Sequence, residues 1–151
     1  MEIFISVLSA FIGCIGSSFM FRISKNIKFS IIGSIVGAIG WSIYLLTAYL
    51  DNTFFQSFIS MLCISIMSEI LARILKAPAT IFIMIGFFPL VPGGGIYYSM
   101  LYAVQGQTEL FMESFMNTIG ISLSLAFAIL LSSTLFHIYN RVKNKDYASI
   151  E

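Results

Sequence analysis

The stretch FPLVPGGGIYY, residues 88–98, lies near the middle of a run of 32 uncharged residues between Lys76 and Glu109. About 20 apolar residues in a helix cross roughly 30 Å of hydrocarbon, so this run is long enough to span a membrane. Pro89 and Pro92 each remove an intrahelical hydrogen bond, and the three glycines that follow are poor helix formers. The sequence therefore predicts a membrane-spanning helix that is broken near its centre.

We expect two half-helices, about Ala79–Phe88 and Ile96–Val104, joined by an unwound link over Pro89–Gly95. Unwound backbone at membrane depth must be buried in protein or must line a watery cavity. In many transporters such breaks form substrate sites, because the second half-helix offers free N–H groups and a positive dipole end. The alternative is a proline kink whose glycines allow close helix packing.

The substrate-site hypothesis assigns a role to each residue of the link. The backbone N–H groups around Gly93, Gly94 and Gly95 would bind a carboxylate, and the Tyr97 and Tyr98 hydroxyls would orient it. The two prolines of the break complete the candidate substrate-binding set, which is Pro89, Pro92, Gly93, Gly94, Gly95, Tyr97 and Tyr98.

The whole composition is that of a membrane protein. Charged residues make up 10% of the 151 residues, hydrophobic residues 58%, and the formal net charge is +1. A soluble domain carries about 25% charged residues. These values exclude an ordinary soluble enzyme, a disordered chain and a nucleic-acid binder. An intramembrane enzyme is also disfavoured, because the sequence has no Gly-x-Ser-x-Gly string and contains one histidine. We therefore expect no catalysis, cofactor or metal.

The charged residues divide the rest of the chain into four more hydrophobic segments. They are residues 3–21, 29–50, 52–75 and 114–140, and only the third contains charges. We therefore predict an all-α integral membrane protein of five spans, with residues 1–140 as one domain and 141–151 as a short basic tail. The first segment lacks the basic start of a signal peptide, so we expect it to be retained.

The basic residues predict the orientation. Lys and Arg accumulate in cytoplasmic loops of membrane proteins. With five crossings, all eight fall on one side: Arg22, Lys25, Lys28, Arg73, Lys76, Arg141, Lys143 and Lys145. We expect this side to be the cytoplasm, with the N-terminus outside, the C-terminus inside and the protein in the cell membrane.

Glu69 is the one carboxylate inside a predicted span, and Arg73 follows it at i+4. Charges within membranes are costly and usually face a bundle interior or a cavity. Glu69 with Arg73 could couple protons or gate a substrate path. The alternative is a helix pair near the interface that fixes registry and snorkels to water. In the second span, Gly33, Gly37 and Gly40 have the spacing of small residues at close helix contacts, which we interpret as packing.

Three strings carry a family resemblance. SEILARILKAPATIF (residues 68–82), FPLVPGGGIYY (88–98) and GAIGW (37–41) resemble the threonine/serine exporter (ThrE) family. The likeness is to its C-terminal five-helix half, which also occurs as a separate YjjB-like small subunit, and it covers essentially the whole chain.

The resemblance implies a function and a partner. Members export small hydrophilic metabolites, notably threonine and serine, driven by the proton motive force, and a related two-component system exports dicarboxylates such as succinate. The split small subunit works with a larger YjjP-like partner, so we expect one here, and homo-oligomerisation stays open. The alternative is a non-transporting scaffold subunit that folds or orients its partner.

Overall fold

The computed structural model describes residues 2–20, 22, 27–50 and 52–148, and for residues 2, 50 and 139–148 it describes the backbone alone. Lys25, Asp51 and the last three residues of the expected tail lie outside the described residues. The side chains of Arg141, Lys143 and Lys145 lie outside them too. The predicted sidedness of these charges therefore stays a prediction.

All regular structure in the described residues is helical. The helices are α1 (Glu2–Met20), α2 (Ile27–Leu46), α3 (Thr53–Leu75), α4 (Ala79–Gly86), α5 (Gly93–Val104) and α6 (Thr108–Ala148). Short 3₁₀ turns follow α2 at Thr47–Leu50 and connect α4 to α5 at Phe88–Leu90. The backbone of α6 continues as helix through the start of the expected tail, to Ala148.

Both ends of α3 have recognisable capping groups. The Asn52 side chain accepts hydrogen bonds from the N–H groups of Phe54 and Phe55, at 3.1 and 3.2 Å. These bonds satisfy donors that the first turn leaves free. At the other end, Lys76 adopts the left-handed conformation (φ 51°), and the Ala77 N–H donates to the Ala72 carbonyl at 3.0 Å. The chain then turns sharply into α4.

Helices α1 and α2 pack antiparallel. The Trp41 indole N–H donates to Ser6 Oγ at 2.8 Å near one end of the pair, and Ser18 donates to Ser30 at 2.7 Å near the other. Helix α2 also packs against α3 and α4, and α3 packs against α4 and α6. The core where they meet is formed by Val36, Met61, Ile64, Leu90, Leu125 and Ala128.

The glycines of α2 lie at close helix contacts, which confirms their interpretation as packing residues. A Cβ on Gly37 would stand 2.6 Å from Cys14 Sγ of α1 and 3.1 Å from the Gly86 backbone of α4. A Cβ on Gly40 would collide with Ile64 of α3. Small residues at this spacing let three neighbouring helices approach the α2 backbone.

Helices α3 and α6 run parallel. Near the start of α3 the Phe54 ring covers Gly120, and near its end the Arg73 guanidinium lies over the Phe136 ring. Helix α5 packs on α6 through Gly95, where a Cβ would collide with Thr118. Within the described residues α5 makes no comparable contact with another helix.

Four described helices are long and apolar enough to cross a membrane, at Ile3–Met20, Ile27–Tyr49, Thr53–Leu75 and Thr108–Ile138. The pair Ala79–Gly86 and Phe88–Val104 passes the same test together and is bent by 42°. Each of the four helices is therefore long enough to cross the bilayer by itself. The bent pair makes a fifth crossing where it counts as one span. A break in the fourth segment was predicted from the prolines and glycines.

Candidate substrate site at the helix break

The break is shorter than the sequence suggests. Helix α4 ends at Gly86, a 3₁₀ turn follows, Val91 is extended, and Pro92 caps α5, which begins at Gly93. The expectation of an unwound link through Gly95, with the second half-helix starting at Ile96, is therefore wrong. Glycine weakens a helix by about 1 kcal/mol, and tertiary packing overrides so weak a preference. The contact of Gly95 with Thr118 supplies such packing.

The start of α5 retains free donors. The Gly93 N–H donates to the Val91 carbonyl at 2.7 Å, and the Ile96 N–H donates to the Pro92 carbonyl at 3.1 Å. Between them, the N–H groups of Gly94 and Gly95 find no acceptor among the described residues. A Cβ on Gly94 would meet nothing within 4 Å, so open space lies beside Gly94, whereas Gly95 packs against Thr118. The N-terminal end of α5 can thus receive an anionic group.

A small cavity of about 140 Å³ lies at the break, and we call it the break pocket. Its volume is well below the 300 Å³ or more of a drug-sized site, so a small solute suits it. Three helices supply the wall opposite the break. The lining residues are Trp41, Tyr44, Ser57, Pro89, Leu90, Val91, Pro92 and Ile121.

The break pocket has several unpaired polar groups. The carbonyl groups of Pro89 and Leu90 accept no hydrogen bond from the described residues, because the break interrupts the helical pattern. Tyr44 stacks on Trp41, with ring centroids 5.2 Å apart, and its hydroxyl has no partner in the described chain. Ser57 Oγ donates to the Thr53 carbonyl at 2.8 Å and keeps its acceptor capacity. The pocket therefore offers carbonyls and hydroxyls to a polar guest.

The predicted site residues separate into two groups. Pro89 and Pro92 line the break pocket, whereas Gly93, Gly94 and Gly95 lie beyond it in the first turn of α5. Tyr97 and Tyr98 are 62% and 51% exposed, pack edge to face with centroids 5.3 Å apart, and lie outside the pocket lining. The orienting role predicted for the two tyrosines stays a prediction.

The wall that faces the break was not predicted from the sequence. It consists of Trp41, Tyr44, Ser57 and Ile121. Trp41 lies well inside the span and Tyr44 one turn later towards its end, and both carry a polar group on an aromatic ring. Aromatic residues with polar ends normally concentrate at the membrane interfaces. The position of Trp41 away from the span ends was the available signal.

Glu69 and Arg73 form the expected i,i+4 pair near the Lys76 end of α3. Their side chains are 18% and 39% exposed, and Arg73 Nη2 lies 3.6 Å from Glu69 Oε2. The guanidinium carbon also lies 4.3 Å from the centroid of the Phe136 ring, which ties α3 to α6. Ser57 of the break pocket precedes Glu69 by 12 residues, about 18 Å along the helix. The structure therefore separates the pair from the pocket. The coupling or gating role of Glu69 and its alternative, an interfacial helix pair, both stay predictions.

A larger groove of about 510 Å³ lies between α5 and α6. Its lining is mostly apolar. The polar side chains in it are Ser99, Thr118 and Ser122, and each donates to the carbonyl four residues earlier in its own helix, at 2.7 to 2.9 Å. The groove therefore offers a polar solute less than the break pocket does.

Comparison with known protein families gives one result. The model of the family described as "Threonine/Serine exporter, ThrE" matches residues 6–135. No curated protein and no solved structure matches the chain. The matched region covers α1 from Ser6 onward, all of α2 to α5, the break pocket and the Glu69–Arg73 pair. The chain belongs to the threonine/serine exporter (ThrE) family, a family of transporters.

Proposed function

We propose that this protein is one subunit of a proton-driven exporter of small amino acids, such as threonine and serine, or of small dicarboxylates such as succinate. It would work in the cell membrane with a larger YjjP-like subunit, as a five-span chain with the N-terminus outside. The observation that supports the proposal best is the break pocket, a small cavity at the helix break whose lining includes Tyr44 and Ser57.

A small zwitterion matches the polar groups at the break. Its ammonium group would donate to the free carbonyls of Pro89 and Leu90 and to the Tyr44 hydroxyl. Its carboxylate would accept from the N–H groups of Gly94 and Gly95, where the dipole of α5 favours negative charge. A dicarboxylate would use the second group of contacts alone, so the two substrate classes make different demands on the carbonyls.

The exposed face of α5 supports the requirement for a partner. The exposed side chains there are Tyr97, Tyr98, Met100 and Val104. The hydroxyls of the two tyrosines have no partner in the described chain. Unpaired polar groups are costly against lipid, so a protein surface is a better neighbour. A YjjP-like subunit covering α5 would also bring the two tyrosines into a shared site. Glu69 with Arg73 would couple protons or gate the path from the far end of α3.

Efflux from loaded cells tests the proposal. Cells lacking this gene and its partner gene should retain threonine, serine or succinate, and restoring both genes should restore efflux. Within the restored pair, Tyr44→Phe removes a pocket hydroxyl and should slow efflux, whereas Tyr49→Phe on the exposed face should not. Unchanged efflux in the double deletion would refute the exporter assignment, and a pH-dependent efflux preserved in Glu69→Gln would remove the coupling role.

The scaffold alternative draws on the glycine contacts of α2 and α4. If the break is only a packing device, Pro92→Ala and Gly94→Leu should leave transport intact, while Gly37→Leu should destroy complex formation. Loss of transport in the first two variants, with the complex still assembled, would decide for a substrate site.

A further inference from the structure

Among the described residues, four buried serine hydroxyls have no hydrogen-bond partner. They are Ser60, Ser65 and Ser68 on α3 and Ser132 on α6, and each residue is at most 1% exposed. Buried serines elsewhere behave differently. Ser34 and Ser57, for example, donate to the carbonyl four residues earlier in their own helices, at 2.8 Å. The same bond is open in principle to any helical serine, so its absence at four sites requires an explanation.

Three of the four hydroxyls lie close to Glu69 along the helices. Ser65 precedes Glu69 by one turn, and Ser68 is its immediate neighbour. Ser132 stands at the level of Ser68 on the parallel helix, because Ser68 lies five residues before Arg73 and Ser132 four residues before the Phe136 ring that Arg73 covers. The parallel helices α3 and α6 thus carry three unpaired hydroxyls at about the level of Glu69, near the Lys76 end, and we call these three the serine cluster.

Such a cluster is a site for a hydrogen-bonding ligand. Buried polar groups in native proteins almost always have a protein or water partner, and an orphaned group is costly. Buried water occupies sites where several polar groups can hold it. The three unpaired hydroxyls at the level of Glu69 would supply the polar partners that such a water needs.

We propose that the α3–α6 seam, closed around these serines in the structure, opens to water from the Lys76 end, so that Ser65, Ser68 and Ser132 line a crevice that reaches the Glu69 carboxylate. We call it the serine crevice. The charged residues at this end of α3 are Arg73 and Lys76. Helix α6 contributes the Phe136 ring and the exposed His137. The crevice itself does not depend on the proposed transport function. Only the use of its water, which is to connect Glu69 with bulk solvent, rests on that function.

An apolar layer separates the serine crevice from the break pocket. Met61 and Ile64 lie between Ser57 and Ser65 on α3, and Leu125 and Ala128 lie between Ile121 and Ser132 on α6. All four are buried in the common core. The structure therefore describes two polar regions on either side of a closed layer, with Ser60 on the pocket side. Water in the crevice would reach Glu69 and stop there.

Cysteine labelling tests the crevice without requiring transport. Cys14 and Cys63 are first replaced by alanine, and Ser68→Cys and Ser132→Cys are introduced singly into the protein co-expressed with its partner. Open membrane sheets are then treated with a charged methanethiosulfonate reagent. Ala128→Cys and Met61→Cys are matched controls, because both positions are fully buried in the apolar layer. Since a thiol must meet solvent to react, we expect labelling of the two serine positions about tenfold faster than of the controls.

Labelling at the control rate in both Ser68→Cys and Ser132→Cys would overturn the proposal. The variants lie on different helices, so a folding defect in one leaves the other decisive. A second measurement is the thermal stability of Ser68→Ala combined with Ser132→Ala. Loss of two hydroxyls that are truly dry should raise stability, which would contradict the crevice, whereas hydrated hydroxyls predict no gain. Rapid labelling in a protein that exports nothing would keep the crevice and refute only the exporter.

Discussion

The two halves of the broken span differ in almost every contact. Helix α4 buries Phe82, Ile85 and Gly86 and packs against α1, α2 and α3. Helix α5 buries Ser99 alone and packs on α6. The bend of 42° between them places one half in the core and the other at the edge of the bundle. The break pocket lies at this junction, where Pro92 begins α5 and Leu90 belongs to the core.

The glycines on the two sides of the break show the same contrast. Gly86 in α4 meets Gly37 at backbone distance, with a hypothetical Cβ 3.4 Å from the Gly37 nitrogen. Gly93 and Gly94 in α5 face open space. The first glycine is required for close packing, and the other two leave the N–H groups of α5 accessible. Substitutions at these positions should therefore have opposite consequences.

The largest effect is expected at the α2–α4 contact. Gly37→Leu inserts a side chain against the Cys14 sulfur and the Gly86 backbone, and backbone cannot move aside. Overpacking costs about 1–3 kcal/mol or more, so the yield of folded protein should fall sharply. The control is Gly16→Leu on the exposed face of α1, where a Cβ meets nothing within 4 Å. Equal yields of the two variants in size-exclusion chromatography would contradict the packing of α4 in the core.

A smaller effect is expected where α5 packs on α6. Gly95→Ala places a methyl group against Thr118 Oγ1, so it should destabilise the attachment of α5 to α6 by about 1–2 kcal/mol. Thr118→Ser keeps the hydroxyl and Thr118→Ala removes it, so only the second should rescue Gly95→Ala. A double-mutant cycle on thermal unfolding measures the coupling. Additive effects would mean that α5 does not rest on Thr118.

The next effect in size is expected at the contact between Arg73 of α3 and Phe136 of α6. Arg73→Ala removes the contact with Phe136 and the pair with Glu69, and a partly exposed cation–π contact is worth about 0.5–1 kcal/mol. Phe136→Leu should cost a similar amount, and the double variant should cost little more than either. Arg73→Lys is the conservative control and should retain part of the stability. Strictly additive losses in denaturant unfolding would show that the two side chains act independently.

The smallest effect is expected at Gly94. Because a Cβ has open space there and φ is not positive, Gly94→Ala should be neutral or stabilise α5 by up to about 1 kcal/mol. The comparison partner is Gly86→Ala, which meets Ile64 at 3.1 Å and should destabilise. Thermal unfolding of the two alanine variants side by side measures the contrast between the halves. A destabilised Gly94→Ala would place α5 inside the bundle.

The sequence predicted the break but could not predict where its halves go. Pro89 and Pro92 interrupt hydrogen bonding wherever they stand in a helix, so the break follows from local chemistry. An apolar half-helix reads the same whether it faces lipid, core or partner, so the outward position of α5 depends on contacts between distant residues. For the same reason Gly37 was recognisable as a packing residue, whereas its contact with Gly86 was not.

The candidate site was predictable in the same partial way. The prolines of the pocket came from the motif, but Tyr44 and Ser57 come from other helices, more than 30 residues earlier in the chain than Pro92. The start of α5 at Gly93 also escaped prediction, because glycine propensity argued against it and packing on Thr118 decided it. The unpaired hydroxyls of the serine crevice leave no trace in a hydropathy pattern.

Solute binding at the break pocket is the central claim, and the single tryptophan of the chain reports on it directly, because Trp41 lines the pocket. The purified protein in lipid nanodiscs is titrated with threonine, serine and succinate while Trp41 fluorescence is recorded. We predict a saturable change with at least one of the three, and its loss in Ser57→Leu, which fills the pocket. No change with any of them, in a protein that restores efflux when paired with its partner, would contradict a substrate site at the break.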